Sequence, residues 1–208
     1  MRLILASTSP RRREILALLG APFEIIAPDF DESLRPGLSI EAQVREFAAG
    51  KARAVAKLCP ESIVIGSDTM IECAGEMIGK PADAGDAARI LRLLSGRTHV
   101  IHTAAAIVDC AGPGLLAVEN VTVKMRRFGD EEIARYLCRG ESLDKAGAYS
   151  IQGEGSRLIQ SLSGDYLAAV GLPLKPIAAY LKQRGIRFPR DAEELYREKS
   201  FMNWASFD

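Results

Sequence analysis

The chain has 208 residues, 48% of them hydrophobic and 26% charged, which suits one domain or two joined lobes around a sizeable core and excludes a disordered chain. Acidic and basic residues balance at 27 each, so a nucleic acid polymer held by charge alone, which calls for a basic excess, is disfavoured. The apolar opening is too short for a signal peptide or a membrane span, and no later segment reaches spanning length, so a cytoplasmic protein without a membrane partner is expected.

In chain order, residues 2–6 read as a short buried strand, and residues 10–19 as a helix with Ser9 as N-cap and Pro10 at the first position. Residues 22–27 form a possible second strand, and 28–38 a loop carrying Asp29, Asp31 and Glu32. Ser39 caps a long helix whose apolar residues Ile40, Val44, Phe47, Ala48, Ala52, Val55 and Leu58 keep the helical period. The apolar run 62–66 reads as a strand ending at Ser67-Asp68-Thr69, followed by a hairpin of 70–73 and 76–78 through Ala74-Gly75. A helix over 83–94 precedes two strands, 98–109 and 116–127, which flank a turn at Ala111-Gly112-Pro113-Gly114. Asp130 opens a helix to Cys138, and the glycine-rich stretch 140–155 reads as loops. A short helix, a turn or strand over 166–170 and a helix after Pro173 complete the series.

Helices interleaved with strands predict an α/β fold. Residues 1–186 are read as one domain, and 187–208 as a charged tail carrying Phe201 and Trp204. Cys59, Cys73, Cys110 and Cys138 form no C-x-x-C pair and are expected to be buried thiols. His99 and His102, three apart on a strand, point to opposite faces and make a poor ligand pair.

Three features carry chemistry. Arg11, Arg12 and Arg13 fall in the first turn of the first helix, where the positive end of the dipole disfavours cations by roughly 0.3–1 kcal/mol each. A solvated basic surface fits that run. So does a polyanion site, where free amides, the hydroxyls of Ser7, Thr8 and Ser9 and the guanidiniums converge on phosphate. Lys51 lies on the apolar stripe of the long helix, either snorkelling to the rim or reaching into a pocket that holds an anion. Asp68 closes an apolar strand, where a carboxylate suits metal binding or proton abstraction, or simply a turn cap. Glu32 offers a second oxygen ligand, and hard oxygens point to magnesium or manganese. Lys80 and Lys145 sit beside glycine or proline in loops, and Gln152 is a neutral amide able to read a base edge.

The segments LASTSPRRREILALLG, DESLRP, GKARAV, GSDTMI, GEMIGKP, LSGRTH, LDKAGAYSIQG and AVGLPL follow one another in this order. Together they resemble the Maf family of nucleotide pyrophosphatases. The resemblance implies a mixed, strongly twisted central sheet flanked by helices, two lobes with a cleft between, as in the inosine-triphosphatase group. It implies a homodimer that uses a divalent metal cation, Mg or Mn, to hydrolyse nucleoside triphosphates to monophosphate and pyrophosphate. Asp68 is then the proton acceptor and, with Glu32, a metal ligand. Ser7, Arg11, Arg12, Lys51 and Lys80 surround the triphosphate. Arg12, Thr69 and Gln152 occupy the positions that divide the family by substrate, and their combination resembles the dTTP and UTP branch. Asp165-Tyr166-Leu167 departs from that branch, and the tail after Gly185 carries no family pattern. The alternatives are a house-cleaning pyrophosphatase for modified nucleotides, 7-methyl-GTP included, and a non-catalytic nucleotide-binding regulator of division.

Overall fold

The structure is a computed structural model that describes residues 2–111 and 114–207. In chain order the elements are β1 (Arg2–Ala6), α1 (Pro10–Ala17), β2 (Glu24–Ile25), α2 (Ile40–Leu58), β3 (Ser62–Cys73), β4 (Glu76–Ile78) and α3 (Ala84–Leu94). They continue with β5 (Thr98–Asp109), β6 (Leu115–Met125), α4 (Asp130–Leu137), β7 (Ile159–Ser163), α5 (Tyr166–Val170), α6 (Leu174–Gln183) and α7 (Ala192–Glu198). The strands are hydrogen-bonded in the order β2-β1-β3-β5-β6-β7, with β4 on β3. Parallel pairs (β1 with β2 and with β3) coexist with antiparallel ones (β3 with β4, β6 with β7), so the α/β fold has a mixed sheet.

The chain divides into two compact units. The first comprises Met1–Thr69, Thr103–Glu119 and Val170–Glu198. Helices α1 and α2 start where side chains can satisfy free amides. Ser9 accepts from the Arg12 N–H, and Ser39 from the Ala42 N–H at 3.2 Å. Leu5, Ile4, Ile63 and Ile65 of the parallel pair are fully buried, and α2 turns Val44, Phe47, Ala48, Ala52 and Val55 inward. One buried carboxylate is fully engaged here. Asp109 accepts from the Tyr180 hydroxyl at 2.9 Å, Arg184 Nε at 2.6 Å and the Ala111 N–H at 2.9 Å. Burial pushes its pKa up, but these bonds outweigh it and hold the carboxyl below its ordinary value.

The second unit comprises Met70–His102, Asn120–Ala169 and Lys199–Asp208. Asp83 caps α3 through the Asp86 N–H at 2.8 Å, and the β3–β4 hairpin turns on Ala74 and Gly75, both in the left-handed region. His99 is buried, its Nε2 2.8 Å from the Tyr149 hydroxyl, and its Nδ1 meets no partner among the described residues. Burial pushes its pKa down to about 4. A folded pKa below the unfolded value of 6.5 means that the native state resists a proton the unfolded chain accepts. This contribution to stability is complete above pH 6.5 and is lost as pH falls toward 4. A His99→Phe protein should therefore show a flatter Tm over that acidic interval than the parent, read by scanning calorimetry at stepped pH. Parallel Tm curves would contradict this.

Several sequence expectations need correction. The strand expected to end at Asp68 runs on unbroken to Cys73, so the aspartate lies mid-strand rather than at a carboxyl end. Of the stretch 22–27 only Glu24–Ile25 is strand, and α1 stops at Ala17. Residues 166–170 are helical because the Asp165 carboxylate accepts from the Leu167 and Ala168 amides at 2.9 and 3.4 Å. A strand, β7, precedes them. Only Cys73 is a buried thiol; Cys59 is half-buried, and Cys110 and Cys138 are exposed. Of the expected turn at 111–114, Gly112 and Pro113 lie outside the described residues. Among the described residues, no helix is long and apolar enough to cross a membrane.

Candidate functional site

The first unit gathers Ser7, Arg11, Arg12, Glu32, Lys51, Asp68 and Thr69. Ser7, 5% exposed, follows β1, and its Oγ accepts from the Ser9 N–H at 3.1 Å, which shapes the entry to α1. One turn on, Arg12 bends away from solvent. Its Nε donates to the Gly171 carbonyl at 2.9 Å and its Nη2 to Thr69 Oγ1 at 3.3 Å. Thr69 is itself held by the Thr103 hydroxyl, which donates to it at 3.1 Å. Gly171 has φ +135°, a conformation side chains rarely adopt, and its carbonyl also accepts from Ser67 Oγ at 2.9 Å. Ser67, Thr103 and Gly171 therefore fix Arg12, although the residues alone give no sign of it. Their partners lie 34 to 159 positions away in the chain.

Lys51 resolves one alternative. It is 5% exposed and does not snorkel: its Nζ donates to Asp68 Oδ1 at 2.6 Å and pairs with Glu32 Oε1 at 3.0 Å. Asp68 is 6% exposed, whereas Glu32 lies on an exposed stretch of the acidic loop. Such closeness needs α2 pressed against β3, and Gly66 provides it. A Cβ there would overlap the Ala48 carbonyl oxygen and stand 2.7 Å from the Ala52 nitrogen.

The electrostatics agree with the distances. Desolvation lowers the Arg12 pKa, Asp68 pulls it back up, Arg11 lowers it further and Glu32 raises it. Three cations (Arg11, Arg12 and Lys51) thus share one neighbourhood with two carboxylates. Such a set can hold an anion of high charge and place an ionised oxygen beside it. Arg13, by contrast, is exposed. Arg53 and Lys57 are exposed as well, with Arg53 paired to Glu46 at 3.8 Å.

The second unit carries Lys80, Lys145 and Gln152. Lys80 is exposed and follows Gly79, whose carbonyl accepts from the Gly147 N–H at 3.1 Å. Lys145 pairs with Asp144 and donates to the Glu141 carbonyl at 2.9 Å. Gln152 is half-buried, and its side-chain Nε2 is buried without a partner among the described residues. An orphaned amide donor is costly, of order 1–3 kcal/mol, unless something else satisfies it. His99 and His102 bond to different partners, as their spacing predicts. His102 Nδ1 lies 2.8 Å from Asn120 Oδ1 and Nε2 lies 3.0 Å from Glu72 Oε2.

Known proteins resemble this chain over most of its length. A family model described as Maf-like protein matches residues 2–184, a span that includes every residue named in this site. A dTTP/UTP pyrophosphatase of Moorella thermoacetica is 44% identical over 186 residues, covering 89% of this chain and 96% of that protein. Another from Anaeromyxobacter dehalogenans is 45% identical over 191 residues, covering 90% and 96%. Among solved structures, a dITP/XTP pyrophosphatase from Mycobacterium abscessus aligns over 89% of this chain and 95% of its own, with TM-score 0.44 and 19% identity. By its near-complete match to the family model, the chain belongs to the family of Maf-like proteins.

Proposed function

We propose that the chain is a nucleoside triphosphate pyrophosphatase that cleaves dTTP and UTP to the monophosphate and pyrophosphate. The observation that carries this reading is the buried Lys51 ammonium bound to both Asp68 and Glu32, in the electrostatic field of Arg12. The names of the relatives supply the substrate class.

Ser7, Arg11, Arg12 and Lys51 take the phosphate oxygens. Asp68 accepts a proton from a water whose oxygen bonds to the α-phosphorus. The bond from that phosphorus to the bridging oxygen breaks, and pyrophosphate leaves with the bonding pair. Negative charge on the phosphate oxygens is met by fixed cations, so catalysis is positional and electrostatic. Gln152 reads the base. Thymine and uracil share two carbonyl acceptors, and the orphaned Gln152 Nε2 is a donor that matches them.

The donor set also fits a divalent cation. Asp68 Oδ1 and Glu32 Oε1 converge on a single nitrogen, at 2.6 and 3.0 Å, so two carboxylates already point at one positive centre. Two carboxylates completed by substrate phosphates suit Mg or Mn. When bound there by Glu32 and Asp68, the ion supplies neutralising charge and a lowered pKa for coordinated water. The same reading takes the enzyme as a cytoplasmic homodimer, a stoichiometry that sedimentation velocity checks.

Hydrolysis of UTP in ¹⁸O-water with Mg or Mn tests the reaction. The expected products are UMP carrying the label and unlabelled pyrophosphate. UDP with orthophosphate, or label in the pyrophosphate, would remove the proposed attack at the α-phosphorus. A panel including 7-methyl-GTP and modified purine triphosphates ranks the substrates.

A further inference from the structure

The family match ends at residue 184, yet the chain beyond it reaches the loop that holds Gln152. In the second unit, Asn203 directs its side-chain amide at the main chain of residues 151–153. Nδ2 donates to the Gln152 carbonyl at 2.8 Å, to Gly153 at 3.2 Å and to Ile151 at 3.3 Å, and it meets Ser156 Oγ at 3.2 Å. Three carbonyl oxygens can only accept, so the donor end of the amide must face them. Two hydrogens shared among four oxygens pin the segment from several directions at once.

Asn203 is itself held firmly. Its φ of +60° lies in the left-handed region, which asparagine tolerates better than most residues. The preceding carbonyl, of Met202, accepts from the Tyr166 hydroxyl. The following residue, Trp204, is 6% exposed and stacks on the Tyr166 ring at 5.5 Å and 12°, while Phe207 stacks on the same ring at 5.7 Å. The tail is thus anchored by a ring stack on α5, and the anchor presents one amide to one loop. That loop carries the buried Gln152 donor that meets no partner among the described residues.

We propose that Asn203 is a positioning residue for base recognition, fixing the main chain at 151–153 so that the Gln152 amide keeps its aim. The inference rests on the reading of Gln152 as a base contact. It adds a specificity element outside the span the family model matches.

The test compares Gln152→Ala, Asn203→Asp, Asn203→Gly and the double variant Gln152→Ala/Asn203→Asp with the parent. Asn203→Asp keeps shape but turns carboxylate oxygens toward carbonyl oxygens. Asn203→Gly keeps the left-handed backbone and removes only the clamp. The UTP KM should rise about tenfold in both Asn203 variants, corresponding to about 1.4 kcal/mol. Turnover should stay near the parent value, as expected when binding common to ground and transition states is lost. Competitive inhibition by inorganic tripolyphosphate, which has no base, should be unchanged. In the double variant, Asn203→Asp should add nothing to Gln152→Ala, because one residue acts through the other.

A raised KM in Gln152→Ala beside an unaffected Asn203→Asp and Asn203→Gly overturns the inference alone. So does full additivity in the double variant, or an equal weakening of tripolyphosphate. An unaltered KM in Gln152→Ala overturns the base-contact reading, and the inference falls with it. If Asn203→Asp fails to fold, Asn203→Gly, alone and combined with Gln152→Ala, decides between the same outcomes.

Discussion

Replacing Asp68 by asparagine should lower the turnover of UTP by roughly a hundred- to ten-thousand-fold, the contribution of a well-placed general base. The substitution keeps size and one oxygen, so the introduced amide carbonyl can still accept from Lys51. The ammonium also retains Glu32 at 3.0 Å, which spares it the penalty of an unpaired buried charge. The fold should therefore survive, with circular dichroism and Tm close to the parent. Because the missing function is proton acceptance rather than phosphate binding, the loss should fall on kcat with little change in KM. Rates taken at Mg or Mn saturating for each protein keep metal affinity out of the comparison. Near-parent turnover in Asp68→Asn would remove the residue from this role.

Local rules reach some of this structure and stop short of the rest. Ser9, Ser39 and Asp83 each mark a helix start because capping depends only on residues two or three positions away. Lys51 stands out because a charge on an apolar stripe conflicts with its neighbours, and such conflicts mark sites. Its two possible outcomes cannot be separated locally, since Asp68 lies 17 residues further along the chain. β3 reads too short from sequence because Ser67, Asp68 and Thr69 resemble strand-ending residues. Ser67 instead donates to the Ala104 carbonyl at 2.8 Å, and that partner lies 37 residues away. Tyr166 and Val170 favour strand, but Leu167, Ala168 and Ala169 between them favour helix, and the Asp165 cap sets its start. The role of Asn203 is out of local reach for the same reason: its acceptors lie 47 to 52 residues earlier.

Gly66→Ala should damage the first unit at the point where α2 meets β3. Added methylenes in packed interiors typically cost ~1–3 kcal/mol by forcing neighbours off their minima, and here the usual escape is closed. The atoms that a Cβ would strike, the Ala48 oxygen and the Ala52 nitrogen, belong to the backbone of α2 and cannot rotate away like a side-chain tip. The helix must lift from the strand instead. Lys51 precedes Ala52 directly, so its ammonium moves with that backbone, and the 2.6 Å contact with Asp68 lengthens. Stability and catalysis should therefore fall together, with Tm lower by roughly 2–12 °C, given ~2–4 °C per kcal/mol in a chain of this size. Gly79→Ala supplies the control. A Cβ at Gly79 meets nothing within 4 Å, and its backbone is not left-handed, so its Tm should stay with the parent. If Gly66→Ala melts with the control and hydrolyses UTP at the parent rate, α2 has room to spare above β3. The close approach would then not be what brings lysine and aspartate together.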